Sequence, residues 1–370
     1  MTQVSASAGA DATRLRVIHV ASGREWRGGQ RQVLVLARAL AAVPDVETSV
    51  VTGHGTTLEE RLTAAGVTVH PVTWSMGLDP RVVAGLLPEL GPDVIVHAHD
   101  SHAHTLADAA IRIRGGRLVV TRRVDFPIRR AGHWRRVDRA IALSGPVRER
   151  LLAAEVPADR IAIIPPAVDR DALEQVPPWP AAVPMRDDDR PFIVSVAALT
   201  PEKGVDVLLE AAAHLHATHP AIDWIVLGDG PQRDRLLARR KALELDDVVA
   251  FPGHVEHPEA VMARARAMVQ PSRSEGFGST VLDALALGIP VVASQTGGLP
   301  ESLAGGGGLL VPAGDPGALA GAVTRILDDP ALHERLSGDG RAAAEGFSVP
   351  RLVSRTLDVY RSLAMTTPAP

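Results

Sequence analysis

The sequence predicts an α/β protein made of two doubly wound parallel sheets that face each other across a cleft. Three observations predict it. Short apolar runs alternate with longer helical patterns along the chain, the pattern of parallel sheets covered by helices. A proline-rich break near the middle interrupts that alternation, which then restarts. Glycine-bearing loops follow several of the apolar runs and open helices, at the strand ends where open α/β sheets bind ligands. A chain of 370 residues also exceeds one ordinary core and fits two of about 150 to 200 residues each.

In the first half the apolar runs are Leu15–Val20, Val46–Val51, Val67–His70, Val94–His97, Leu118–Thr121, Ala140–Leu143 and Ile161–Ile164. Helical stretches such as Gln30–Ala42 and Leu58–Ala65 lie between them. From Asp171 to Arg190 the chain carries Pro177, Pro178, Pro180 and Pro184 with the acid run Asp187–Asp189. Proline at that density prevents regular pairing and predicts a linker. The alternation resumes with Phe192–Val196, Trp224–Leu227, Val248–Phe251, Met268–Gln270, Val291–Ala293 and Leu309–Val311. Pro350 to Met365 reads as a terminal helix started by Ser348. The expected division is therefore a leader at 1–13, a first domain at 14–170, a linker at 171–190, a second domain at 191–347, and a C-terminal helix and tail at 348–370. The leader lacks the basic start and apolar core of a signal peptide and reads as disordered.

Composition narrows the function. Aromatic residues are 3% of the chain, too few for a stacking platform on single-stranded nucleic acid, and the net charge of -4 gives no general attraction to nucleic acid or acidic membranes. The absence of cysteine excludes disulfides, thiolate metal sites and a cysteine nucleophile, and fits a reducing cytosol. No apolar run approaches the roughly 20 residues that span a bilayer, so work at a membrane would be peripheral.

The most informative segment runs from Pro271 to Gly288. An apolar strand ends in a loop holding Glu275, Gly276 and Gly278, and a helix begins near Ser279 with Asp283 about one turn inside. Glycines let backbone N–H groups approach a ligand, and a helix N-terminus favours negative charge. The two carboxylates can grip hydroxyls of a sugar and a ribose while the amides hold phosphates between them. A plain strand–loop–helix connection with an exposed Glu is the competing reading. Lys203 follows the first strand of the second half, where it reads from position alone as a solvated lysine at a helix start. Gly228–Pro231 and Gly297–Glu301 follow two further strands, each weak alone and stronger in this order. Trp26–Gln30, with Gly28 and Gly29, is an amide-rich loop opening a helix after the first strand, or simply a βα turn.

His97, His99, His102 and His104 cluster at the end of another strand. They read as a metal site, as ordinary satisfied histidines, or as groups aimed into the cleft. Asp187–Asp189 contains an acidic pattern used by metal-dependent transferases, but its proline-rich setting makes it a solvated charge run. Gly305–Gly308 reads as a loop. Arg122, Arg123, Arg129, Arg130, Arg135, Arg136 and Arg139 form either a solvated face or a patch for an anionic acceptor or lipid headgroup, worth up to about 1 kcal/mol per side chain near a charged surface.

Ser274–Gly278, followed by Leu282–Ala293, resembles the signature block of family 4 glycosyltransferases, which are retaining enzymes of GT-B architecture with two facing Rossmann-like domains. The resemblance implies that Glu275 contacts the donor sugar and Asp283 the nucleotide ribose, a place usually held by Glu. It makes Lys203 the partner of the donor pyrophosphate, with Ala198 where an Arg is common. Gly28, Gly29, Gly230, Gly276, Phe277, Gly278 and Gly298 fall to the donor, and His99, with His102 second, to the reacting sugar from the first, acceptor-side domain. Arg122 and Arg123 are candidates for acceptor or phosphate contacts. The implied function is metal-independent, cofactor-free transfer from a nucleotide diphosphate sugar (UDP-sugar favoured, GDP-sugar as the second choice) to a hydroxyl of a glycan, glycolipid or small molecule. The implied place is the cytoplasm, with peripheral contact at the inner face of the membrane, and nucleic acid is not a partner. The rival readings are a metal-dependent hydrolase on His97 and His99, a non-catalytic nucleotide-sugar module, and a sugar-nucleotide epimerase.

Overall fold

The structure, a computed structural model, describes residues 14–128, 131–175, 178–184 and 190–364. The proposed leader, the acid run Asp187–Asp189, and Arg129 and Arg130 lie outside the described residues. The first sheet is built from β1 (Leu15–Ala21), β2 (Val46–Gly53), β3 (Thr68–Val72), β4 (Val94–Ala98), β5 (Arg117–Arg122), β6 (Arg139–Ala142) and β7 (Ile161–Ile163). Its strands are all parallel, in the order β3-β2-β1-β4-β5-β6-β7. The second holds β8 (Phe192–Val196), β9 (Asp223–Leu227), β10 (Val249–Gly253), β11 (Ala267–Gln270), β12 (Val291–Ser294) and β13 (Gly308–Val311), again parallel, in the order β10-β9-β8-β11-β12-β13. Each apolar run read from sequence is one of these strands. Gly308 opens β13 instead of remaining in the glycine loop.

Both orders reverse once, between β1 and β4 and between β8 and β11. At such a switch point the two following loops diverge to opposite faces and leave a crevice at the carboxyl ends of the strands. That rule places residues 22–27 beside His99 and Asp100 in one domain, and residues 197–204 beside residues 271–278 in the other.

Central strands buried on both faces read as near-continuous apolar runs, and β4, β11 and β12 are buried along their whole length, with the polar His97, Gln270 and Ser294 near or at their carboxyl ends. Helix Gly28–Ala41 buries Val33, Leu36, Ala37 and Leu40, one face at helical spacing. Side-chain caps fix several helix starts: Thr56 accepts from the Glu59 amide, Asp100 from His102 and Ala103, and Ser144 from Val147.

The final helix, Val349–Ala364, returns to the first sheet. Leu357, Val359, Tyr360 and Leu363 pack with Val17, Leu36, Leu40, Ile95 and Ile141, and Val168 bridges to Ser348. The chain therefore crosses between the domains twice. The proline-rich crossing is packed where it is described: Val183 is buried, and the Trp179 ring stands edge-on to Phe192, 5.9 Å between centroids, with Arg264 over it. No helix among the described residues is long and apolar enough to cross a membrane.

Candidate functional site

In the second domain, the loops after β8 and β11 bring two sequence-selected residues together. Lys203 ends the short turn Pro201–Lys203, and its Nζ donates to Glu275 Oε2 at 2.7 Å. Gln270 Nε2 lies 3.3 Å and Ser272 Oγ 3.4 Å from the same oxygen. The pair is half-buried, with side chains 23% and 13% exposed. Gly204, at φ +65°, permits this approach, since a Cβ there would strike the Pro271 carbonyl.

Gly276 serves a purpose the sequence did not reveal. A Cβ at that position would collide with the carbonyl oxygen of Arg123 in the first domain. The glycine lets two backbones meet across the cleft. Ser144 Oγ also donates to the Gly276 carbonyl at 2.8 Å, and the Gly145 amide donates to Glu301 at 2.8 Å. Gly298 donates to the Glu275 carbonyl at 3.1 Å and sits against Gly276. Gly28 faces Ser279, the first residue of helix Ser279–Leu287, so two helix N-termini meet across the cleft with Gly278 (φ +86°) ahead of one of them. Gly230 packs on the Leu199 backbone, which joins the turn after β9 to the lysine loop. A cavity of about 630 Å³ between Trp179, Phe192, Trp224 and Phe251 lies away from these loops, at the amino ends of β8 and β9, and contains none of the selected residues.

Other selected residues have surroundings that the sequence did not indicate. Asp283 is not open to a ribose in this arrangement. It is 4% exposed, and Arg31 grips it with both arms, Nη1 to Oδ2 at 2.5 Å and Nη2 to Oδ1 at 2.9 Å. Burial pushes its carboxyl above the usual range, and the Arg31 charge opposes that rise. Phe277 turns its ring into the core, edge-on to Phe347 at 5.5 Å, so only its backbone can meet a donor. His102 is exposed, and its ring lies against Gly77 in the loop after β3. Arg122 turns away from its neighbour, donating to the Phe126 carbonyl at 2.7 Å and lying over the Trp134 ring.

His99 lies in a cluster larger than the sequence indicated. β1 pairs His19 with His97, and Arg123 donates from Nη2 to His99 Nδ1 at 3.0 Å. His99 Nε2 lies 2.8 Å from His19 Nδ1. His97 Nδ1 and Nε2 lie 2.6 Å from the Tyr360 hydroxyl and 2.7 Å from Thr121 Oγ1. Burial drives the His19 pKa down to about 3 and holds His97 and His99 well below the usual imidazole range, with Arg123 adding to the effect. Arg123 itself is lowered to about 10 by burial, against the pull of Asp100. His19, His97 and His99 are the one trio of potential metal ligands found among the described residues. Five of their six nitrogens are engaged, with each other, with Arg123, with Tyr360 and with Thr121, and a fixed guanidinium beside them repels a cation. The hydrolase reading is not favoured.

His19, Arg31, Ser144 and Tyr360 were not selected from sequence. Only His19 had a local signal, since it sits one residue before the end of the apolar run Leu15–Val20, in a strand that pairs with the His97 strand.

Two doubly wound domains with their switch points facing each other constitute the GT-B architecture. Residues 182–343 match the family model described as glycosyl transferases group 1, and residues 26–172 match that of glycosyltransferase family 4. The chain belongs to family 4 of the glycosyltransferases. It is 34% identical over 186 residues to the glycogen synthase of Mycobacterium tuberculosis, covering 49% of this chain and 45% of that protein. It is 34% identical over 266 residues to the D-inositol 3-phosphate glycosyltransferase of Frankia alni, covering 66% of this chain and 64% of that one. The matched region is thus less than two thirds of either relative's length. Among solved structures, Anabaena HepE in complex with UDP and glucose superposes with a TM-score of 0.80 at 19% identity, over 94% of this chain and 100% of that one.

Proposed function

We propose that this chain transfers a sugar, with retention and without a metal ion, from a nucleotide diphosphate sugar to a hydroxyl of a glycan, glycolipid or small-molecule acceptor. The observation that carries the reading is the Lys203–Glu275 pair at the second switch point, beside the amides of Gly276 to Gly278. A diphosphate entering there gives Lys203 a stronger partner and releases Glu275 for the sugar hydroxyls. The bond from the anomeric carbon to the diphosphate breaks, and the acceptor oxygen bonds to that carbon on the same face. The hydroxyl proton leaves with the diphosphate oxygen. Lys203 and the peptide amides stabilise the charge that develops on the leaving group.

UDP-sugar is the favoured donor, since HepE was crystallised with UDP and glucose. The name of a relative from Corynebacterium glutamicum specifies GDP-mannose, which keeps GDP-sugar as the second choice. Lys203→Ala and Glu275→Ala are expected to lower transfer by about a hundredfold or more, the scale of lost transition-state charge stabilisation, with the folded circular dichroism unchanged. Full turnover in both variants ends the assignment. Turnover that vanishes with chelator and returns with magnesium or manganese ends the metal-independent part alone.

A further inference from the structure

Several cations beside the cleft are held by carboxylates. Lys203 is tied to Glu275, Arg31 to Asp283, and Arg273 to Asp206 through two bonds of 2.7 and 2.8 Å. Arg123 differs. The counter-charge it feels is Asp100, whose carboxylate already accepts from Ser22 and from the amides of His102 and Ala103. Among the described residues its guanidinium donates to a neutral imidazole, and its Nε is sealed from solvent with no partner. A buried donor on a charged group is costly when left unpaired. The position is specific too: the Arg123 backbone touches Gly276, and its Cδ lies beside Gly29.

The hydrogens of the cluster behind it follow from valence. A guanidinium only donates, so His99 Nδ1 must accept from Arg123. His99 is neutral, so its proton sits on Nε2 and is donated to His19 Nδ1. The neutral His19 then carries its proton on Nε2, which is also sealed and unpartnered among the described residues. Arg123, His99 and His19 form one polarised chain, and both His99 nitrogens are used within it.

We infer that Arg123 is the cation that meets the donor diphosphate from the first domain, with His99 and His19 as positioning residues behind it. This rests on the donor reading above. It moves the first-domain contact from His99 to Arg123 and makes full grip on the diphosphate depend on a closed cleft.

The test compares, by isothermal titration, uridine with UDP and guanosine with GDP, on wild type and on Arg123→Gln, Arg123→Lys and Arg122→Gln. The wild-type preference for diphosphate over nucleoside is expected to shrink by about tenfold or more in Arg123→Gln, the scale of a lost charge-assisted hydrogen bond. Nucleoside affinity is expected to stay constant, Arg123→Lys to recover part of the preference, and Arg122→Gln to keep all of it. An unchanged preference in Arg123→Gln overturns the inference, and a rise confined to the acceptor KM assigns the cation to an anionic acceptor instead. Wild type that binds neither nucleotide removes the donor reading and this inference with it. Histidine 15N spectra of wild type give a check that does not depend on variant folding: His99 and His19 should both be Nε2-protonated, and an Nδ1-protonated His99 breaks the chain.

Discussion

Three imidazoles buried beside a guanidinium set how the molecule responds to acid. His19, His97 and His99 stay neutral in the folded state because burial penalises their charged form. The unfolded chain has no such penalty and takes up protons near pH 6.5. Stability from these groups is therefore complete above about pH 6.5 and declines as pH falls through that value towards the folded value, about 3 for His19. Each imidazole contributes a loss of roughly 1.4 kcal/mol per pH unit within that window. Urea denaturation at pH 7, 6 and 5 should show a stability that falls steeply, and His19→Gln should flatten the slope. A slope unchanged by that substitution would place the proton uptake elsewhere.

The terminal helix Val349–Ala364 gives the clearest case of one element completing another. Its apolar face covers the first sheet, and its Tyr360 hydroxyl meets His97 at 2.6 Å, 263 residues earlier in the chain. Tyr360→Phe keeps the packing but leaves a buried imidazole nitrogen without a partner. The expected cost is about 1 to 3 kcal/mol, read as a lower urea midpoint with an unchanged m value. A cost near zero would show that Thr121 alone satisfies His97. The alternation of apolar and helical segments made this helix legible from sequence, but not its docking site, because amphipathic periodicity says which face is buried and not against what.

At the scale of the whole molecule, Arg31 and Asp283 join the domains through a fork of two bonds, supported by the contacts of Ser144 with Gly276 and Gly145 with Glu301. Removing one partner of a buried pair normally costs about 3 to 5 kcal/mol because the other charge is stranded. Here the cleft can open and return that charge to water, so Arg31→Ala should loosen closure more than it destabilises either domain. Small-angle scattering is expected to show a larger radius of gyration for Arg31→Ala. Arg31→Leu combined with Asp283→Leu should close the cleft again, as apolar replacement of a buried pair often preserves packing. An unchanged radius in Arg31→Ala would mean that the loop contacts hold the domains by themselves.

What the sequence determined by itself was the backbone plan. Thirteen short apolar runs became thirteen strands, and the loops holding Lys203 and Glu275 fell at one switch point because strand periodicity and glycine placement are local properties. Side-chain partnership is not local, and only the tertiary structure decided it. Asp283 met Arg31 across 252 positions, Phe277 was drawn into the core, and Arg122 and Arg123, adjacent in the chain, turned to different surroundings. The physical reason is that a charge or ring settles where desolvation and partner geometry balance. That balance exists only once the two domains have docked.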